Sequence, residues 1–212
     1  MLPLLAATLL LSPALSTPPP VSTSTGFHIL LLPKDASLPA RSVSMIHTGA
    51  GQSRAVAGEP SPGGGDLVFY QNGASPDSTL ATDILPQGFP MSILFAPPEN
   101  GTDVSPADVT VSGATSGLFV DEEEYAPSIE YVDGGRFWIC ESWVAYYQAV
   151  YPVFSWSAGE GEAGEACVEV DVVPVCETLE DLPDGALGSH ELVQEVRCFV
   201  DNGAAGEGRR SS

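Results

Sequence analysis

Cys140, Cys167, Cys176 and Cys198 are the side chains with the most distinctive chemistry in this 212-residue sequence. An even set of four reads as two disulfides made in an oxidising compartment. Four cysteines permit three connectivities, of which sequential pairing, Cys140 with Cys167 and Cys176 with Cys198, closes two separate loops of ordinary length. A zinc site would want C-x-x-C or histidines at ligand spacing; no two of these cysteines stand that close, and His28, His47 and His190 are remote from one another. No metal and no other cofactor is expected.

Hydrolytic chemistry has fewer footholds. The sequence contains no G-x-S-x-G elbow, no H-E-x-x-H and no phosphate-binding P-loop. His47 opens HTGAG, His47 to Gly51, which reads as a glycine-rich turn at the end of the strand SVSMIH, because glycine supplies the positive φ that turns require. With 28 acidic residues some carboxylate pair is inevitable, so pairing alone does not mark a glycosidase. The run Asp121, Glu122, Glu123, Glu124 lacks the alternate spacing and glycine of a calcium loop and reads as a solvated loop. The expectation is therefore a non-catalytic protein; the alternative is a secreted hydrolase whose site is assembled from His47 and acidic residues only in three dimensions.

Binding chemistry is better represented. Phe137 to Trp156 holds all three tryptophans. Most of these rings are expected in the core, since large rings supply the burial that packed sheets need. The segment Glu141 to Val150 can be read as a helix or as a hairpin turning near Ala145 to Tyr147, and aromatic enrichment with Pro152 favours the hairpin. A tight turn cannot point Trp143, Tyr146 and Tyr147 all inward, so one or two of these rings are expected to stand exposed as candidate ligand contacts. The formal charge of -21, with basic residues scattered singly, disfavours nucleic acid and anionic membrane surfaces. A neutral glycan or an extracellular protein is the expected partner. Asn100-Gly101-Thr102 is an N-glycosylation acceptor in a turn-like setting.

These residues need elements to position them. Residues 1–16 have the form of a secretory signal peptide, with an apolar run from Leu2 to Leu11 and the small residues Ala14 and Ser16 before an expected cut. Secretion to the extracellular space follows, and no later apolar run approaches the roughly eighteen residues of a membrane span. Residues 17–25, rich in Pro, Ser and Thr, read as an extended leader. From there, short runs of β-branched or alternating residues recur between Gly, Pro, Asn and Asp, with candidate strands beginning at Phe27, Ser42, Asp66, Met91, Ala107, Leu118, Ser128, Arg136, Val150 and Cys167. The pattern predicts an all-β fold, an antiparallel β-sandwich or barrel, over residues 26–175. Residues 176–200 are expected to form a short irregular extension linked by a disulfide, with one strand within Glu191 to Val200, and residues 201–212 a disordered tail.

Several pieces in order carry a resemblance: IHTGAG at 46–51, FYQNG at 69–73, MSILFA at 91–96, WICESW at 138–143 and CVEVDVVP from Cys167. Together they resemble a family of small secreted proteins of filamentous ascomycete fungi, classed as a domain of unknown function. The resemblance covers roughly residues 26 to 175, although Ser142 stands where family members tend to carry a second Trp. It implies a secreted β-rich fold and a Cys140 to Cys167 bridge, hence sequential pairing overall. It implies no particular chemistry.

Overall fold

The computed structural model describes residues 20–59, 67–84, 88–98, 103–122, 126–159 and 163–201. The signal segment 1–16, Asn100, Glu123, Glu124 and residues 202–212 lie outside the described residues. Strands run in the order β1 (Val21–Ser24), β2 (Gly26–Pro33), β3 (Arg41–Gly49), β4 (Gln52–Gly58), β5 (Phe69–Asn72), β6 (Thr79–Ile84) and β7 (Phe89–Phe95). They continue as β8 (Ser105–Thr110), β9 (Leu118–Asp121), β10 (Ser128–Tyr131), β11 (Arg136–Val144), β12 (Ala149–Ser157), β13 (Cys167–Glu177) and β14 (Val196–Phe199). No helix occurs among the described residues, and the chain is all-β as expected.

One large sheet carries twelve of these strands, in the order β1-β14-β13-β11-β12-β4-β3-β2-β5-β6-β7-β8. Further pairings of β13 with β2, and of β8 with β12 and β4, bring the sheet back on itself, so that several strands pair with more than two others along their lengths. All contacts between neighbours are antiparallel except a single parallel bridge between Val175 and Phe199. β9 and β10 form a separate small ribbon.

The interior follows from strand alternation. On β2, Phe27, Ile29 and Leu31 are 0–1% exposed and enter the main core with Val43, Ala55, Phe69, Ile93, Val109, Phe137, Phe154 and Val172. Leu30, on the opposite face, joins a satellite cluster with Val173 and Val175. Period-two alternation with apolar residues on both faces fits a sheet covered on both sides. Burying each of the larger of these side chains contributes about 1.5–3 kcal/mol against leaving it in water.

Both disulfides have the sequential connectivity. Cys140 and Cys167 are direct cross-strand partners on β11 and β13, with Cα atoms 4.0 Å apart, and Cys176 of β13 joins Cys198 of β14 at 5.0 Å. The reading of residues 17–25 as leader alone needs correction. Val21 to Ser24 form β1, paired residue by residue with Val196 to Phe199. A serine- and threonine-rich segment is held there because β14, fixed by Cys198, presents a free edge, and an extended chain needs only backbone groups to add a strand.

Candidate functional site

β11 and β12 pair along their whole lengths, from Arg136 opposite Ser157 to Val144 opposite Ala149. Aromatic and β-branched residues on both sides favour this ladder over the alternative helix. The hairpin closes through Ala145 to Gln148, where Tyr147 N donates to Val144 O at 3.1 Å and Gln148 adopts φ 51°.

Burial changes sharply along the hairpin. Near its base Phe137 and Phe154 stack at 5.6 Å within the core, and the Trp138 indole donates to Ser157 Oγ at 2.9 Å. At the tip Trp143 is 60% exposed, Tyr146 59% and Tyr147 41%. All three rings point out, more than the one or two expected, because the tip extends beyond the strands that cover the base. They are not isolated: Tyr146 meets Tyr147 edge to face at 5.1 Å, and Tyr147 meets Tyr151 at 5.5 Å.

Trp143 also borders a shallow cleft of about 420 Å³ beside the Cys140–Cys167 bridge. The cleft wall includes Glu141 and Ser142, with Ser155 deeper. An exposed indole next to a carboxylate and a hydroxyl offers a flat apolar face together with hydrogen-bonding groups. That pairing suits a ligand with one apolar face and peripheral hydroxyls.

His47 lies in the β3–β4 hairpin, whose turn passes through Gly51 at φ 67°. HTGAG is thus the strand end and glycine turn that the sequence indicates. His47 is exposed, its ring meets Tyr146 edge-on at 5.8 Å, and among the described residues no carboxylate hydrogen-bonds it. The structure therefore brings His47 to the aromatic tip and not to an acidic partner.

A histidine–carboxylate pair does exist elsewhere, where the sequence offered no signal. His190 Nε2 donates to Asp83 Oδ2 at 2.7 Å, and the Tyr70 hydroxyl donates to Asp83 Oδ1 at 3.2 Å. Burial, followed by the neighbouring Asp83 charge, holds the Tyr70 phenol well above its ordinary range. Tyr70 is 2% exposed, so this network fastens the segment carrying His190 against β5 and β6.

Among the described residues the basic side chains are engaged. Lys34 pairs with Asp171, Arg41 with Glu59, Arg54 with Asp108 at 2.7 Å and Arg136 with Glu169 at 3.5 Å, while Arg197 donates to the Glu122 carbonyl. They are dispersed over the surface and form no cluster around the tip.

Residues 24–176 match the family described as domain of unknown function DUF7907. The chain belongs to this family. The DUF7907 match spans β2 to β13, so it takes in the closed sheet, the aromatic hairpin and the first disulfide, and it ends at Cys176. The chain is also similar to the antigenic protein SchS34 of the filamentous fungus Stachybotrys chartarum, with 29% identity over 203 residues covering 86% of this chain and 89% of that protein. No solved structure matches it.

Proposed function

We propose that this DUF7907 protein is a secreted, non-catalytic module that binds neutral glycans through the tip of the β11–β12 hairpin. One observation carries the reading: Trp143, Tyr146 and Tyr147 are 41–60% exposed at the tip of a single hairpin. Holding three large rings in water has no folding benefit, and contiguous exposed apolar surface marks interaction sites. The charge of -21 repels anionic ligands but leaves ring stacking on neutral sugars untouched. The two disulfides and the signal-like start both suit an oxidising exterior. Asn100 is assigned an N-linked glycan, and endoglycosidase treatment of protein secreted by a eukaryotic host is expected to lower its mass in wild type and not in Asn100→Gln.

The test is retention on a panel of neutral polysaccharides by wild type and Trp143→Ala, with circular dichroism to confirm folding. Wild type is expected to bind and the folded variant to lose retention, with little change between low and moderate salt. A cationic protein partner would instead be released as the Debye length falls from roughly 30 to 10 Å. Failure of wild type to bind any polysaccharide, or full retention by the folded variant, removes the hairpin tip as a glycan site.

A further inference from the structure

His47 also lines an open cleft of about 560 Å³. Its wall is drawn from four separate strands and the segment after β8: Met45 from β3, Gln52 and Ser53 from β4, Ile84 from β6, Phe89 and Met91 from β7, and Val111. His47 and Gln52 supply polar groups at the mouth, and among the described residues no Lys, Arg, Asp or Glu lines the cleft. Met45 and Met91 are the only methionines of the chain beyond Met1, and both line this one cleft. Thioether side chains adapt their shape and polarise, which is why methionine is concentrated at surfaces that accept apolar ligands. The edges are left open: Phe89 is 41% and Val111 52% exposed.

We infer that this cleft is a binding site for a neutral, mostly apolar small molecule of sterol size bearing one hydroxyl or carbonyl group. The volume falls in the range of about 300–1,000 Å³ typical of small-molecule sites, and so does the composition, apolar walls with a few polar groups that fix orientation. Charge decides between ligand types. An anionic amphiphile such as a fatty acid would bring its carboxylate to a mouth that offers no Lys or Arg, on a chain of net charge -21. A single hydroxyl can instead be met by His47 or Gln52 without any charge to neutralise. This site differs from the glycan reading: its wall includes none of Trp143, Tyr146 or Tyr147, although His47 also meets the Tyr146 ring, and either can hold without the other.

The test uses the purified protein with dehydroergosterol, an intrinsically fluorescent neutral sterol, and cis-parinarate, a fluorescent fatty acid. Wild type is expected to bind the sterol saturably and the fatty acid at least about tenfold more weakly, since an unpaired charge resists leaving water. Val111→Asp and Phe89→Ser alter half-exposed side chains, so both variants should keep the native circular dichroism while sterol affinity falls at least about tenfold. Trp143→Ala should bind the sterol as wild type does. Absence of saturable sterol binding would overturn the inference, as would unchanged affinity in both folded variants or equal affinity for the fatty acid. A concentration-dependent dimer in sedimentation that Val111→Asp abolishes would overturn it too, because a second copy would then be the occupant of the cleft.

Discussion

The Tyr146 ring meets the His47 ring edge-on at 5.8 Å, joining the tip of the β11–β12 hairpin to the β3–β4 turn. This contact holds together two segments that each place apolar surface in water, and it makes the aromatic tip a supported platform. Support of this kind costs the fold little when removed. Tyr146→Ala and Trp143→Ala are expected to change unfolding free energy by no more than about 0.5 kcal/mol, as for surface positions generally. Phe154→Ala, at 2% exposure in the core, is expected to cost about 3–5 kcal/mol. Urea denaturation of the three variants measures the contrast, and a loss of core size at Trp143 would mean that the ring is structural.

Non-reducing peptide mapping is expected to recover Cys140 linked to Cys167 and Cys176 linked to Cys198. The first bridge joins adjacent strands of the main sheet and closes a loop spanning 27 residues. Cys140→Ala with Cys167→Ala should therefore lower stability by about 2–5 kcal/mol, largely by releasing the unfolded chain. Stability equal to wild type in the double variant would show that the pairing of β11 with β13 needs no tether.

Much of the fold was legible because its signal is local. Every candidate strand from Phe27 to Cys167 coincides with an observed strand, since β-branched alternation and turn residues act within a few positions. The strands that escaped notice are those whose reason lies elsewhere. Val21–Ser24 depends on the edge of β14, Thr79–Ile84 on its place between β5 and β7, and Gln52–Gly58, with its alanines and glycine, on pairing with β3 and β8. The exposure of Trp143 and Tyr146 followed from the geometry of a tight turn. The methionine cleft had no such cue: Met45, Met91 and Val111 each read alone as ordinary strand residues, and only the closed sheet brings them together.

Tyr70 makes stability sensitive to alkali. Its phenol is held above the ordinary range by burial and then by Asp83, so the folded state keeps this proton longer than the unfolded chain, where tyrosine ionises near 10. The stabilisation is complete below about pH 10 and is lost as pH rises beyond it toward the folded value. The urea midpoint of wild type is expected to fall more steeply above pH 10 than that of Tyr70→Phe, whose ring has no proton to lose. Parallel profiles would place the alkaline sensitivity on other groups.

The segment from Thr178 to Glu195 contains no strand, yet it is tied down along its length. Gly188 N donates to Gly88 O at 3.0 Å, Gly73 N to Leu192 O at 2.9 Å and Gln194 N to Gln71 O at 3.0 Å, while the Cys176–Cys198 bridge closes its base. The central fastening is Asp83, only 7% exposed at its side chain, which accepts from both His190 and Tyr70. Removing that carboxylate leaves a buried hydroxyl and an imidazole without their acceptor, a loss of about 1–3 kcal/mol. Because the strap is a local unit bonded mainly through its own backbone contacts, the loss should appear there first. In Asp83→Ala, the amides of Gly73 and Gly188 are expected to exchange with solvent markedly faster, while amides of the β2–β13 ladder, such as Leu31 and Val173, keep most of their protection. His190→Ala should give the same pattern more weakly, since Tyr70 retains its acceptor. Uniform loss of protection across strap and ladder would mean that Asp83 holds the whole sheet, and unchanged exchange at Gly73 and Gly188 would mean that the backbone bonds and the disulfide suffice to hold the strap.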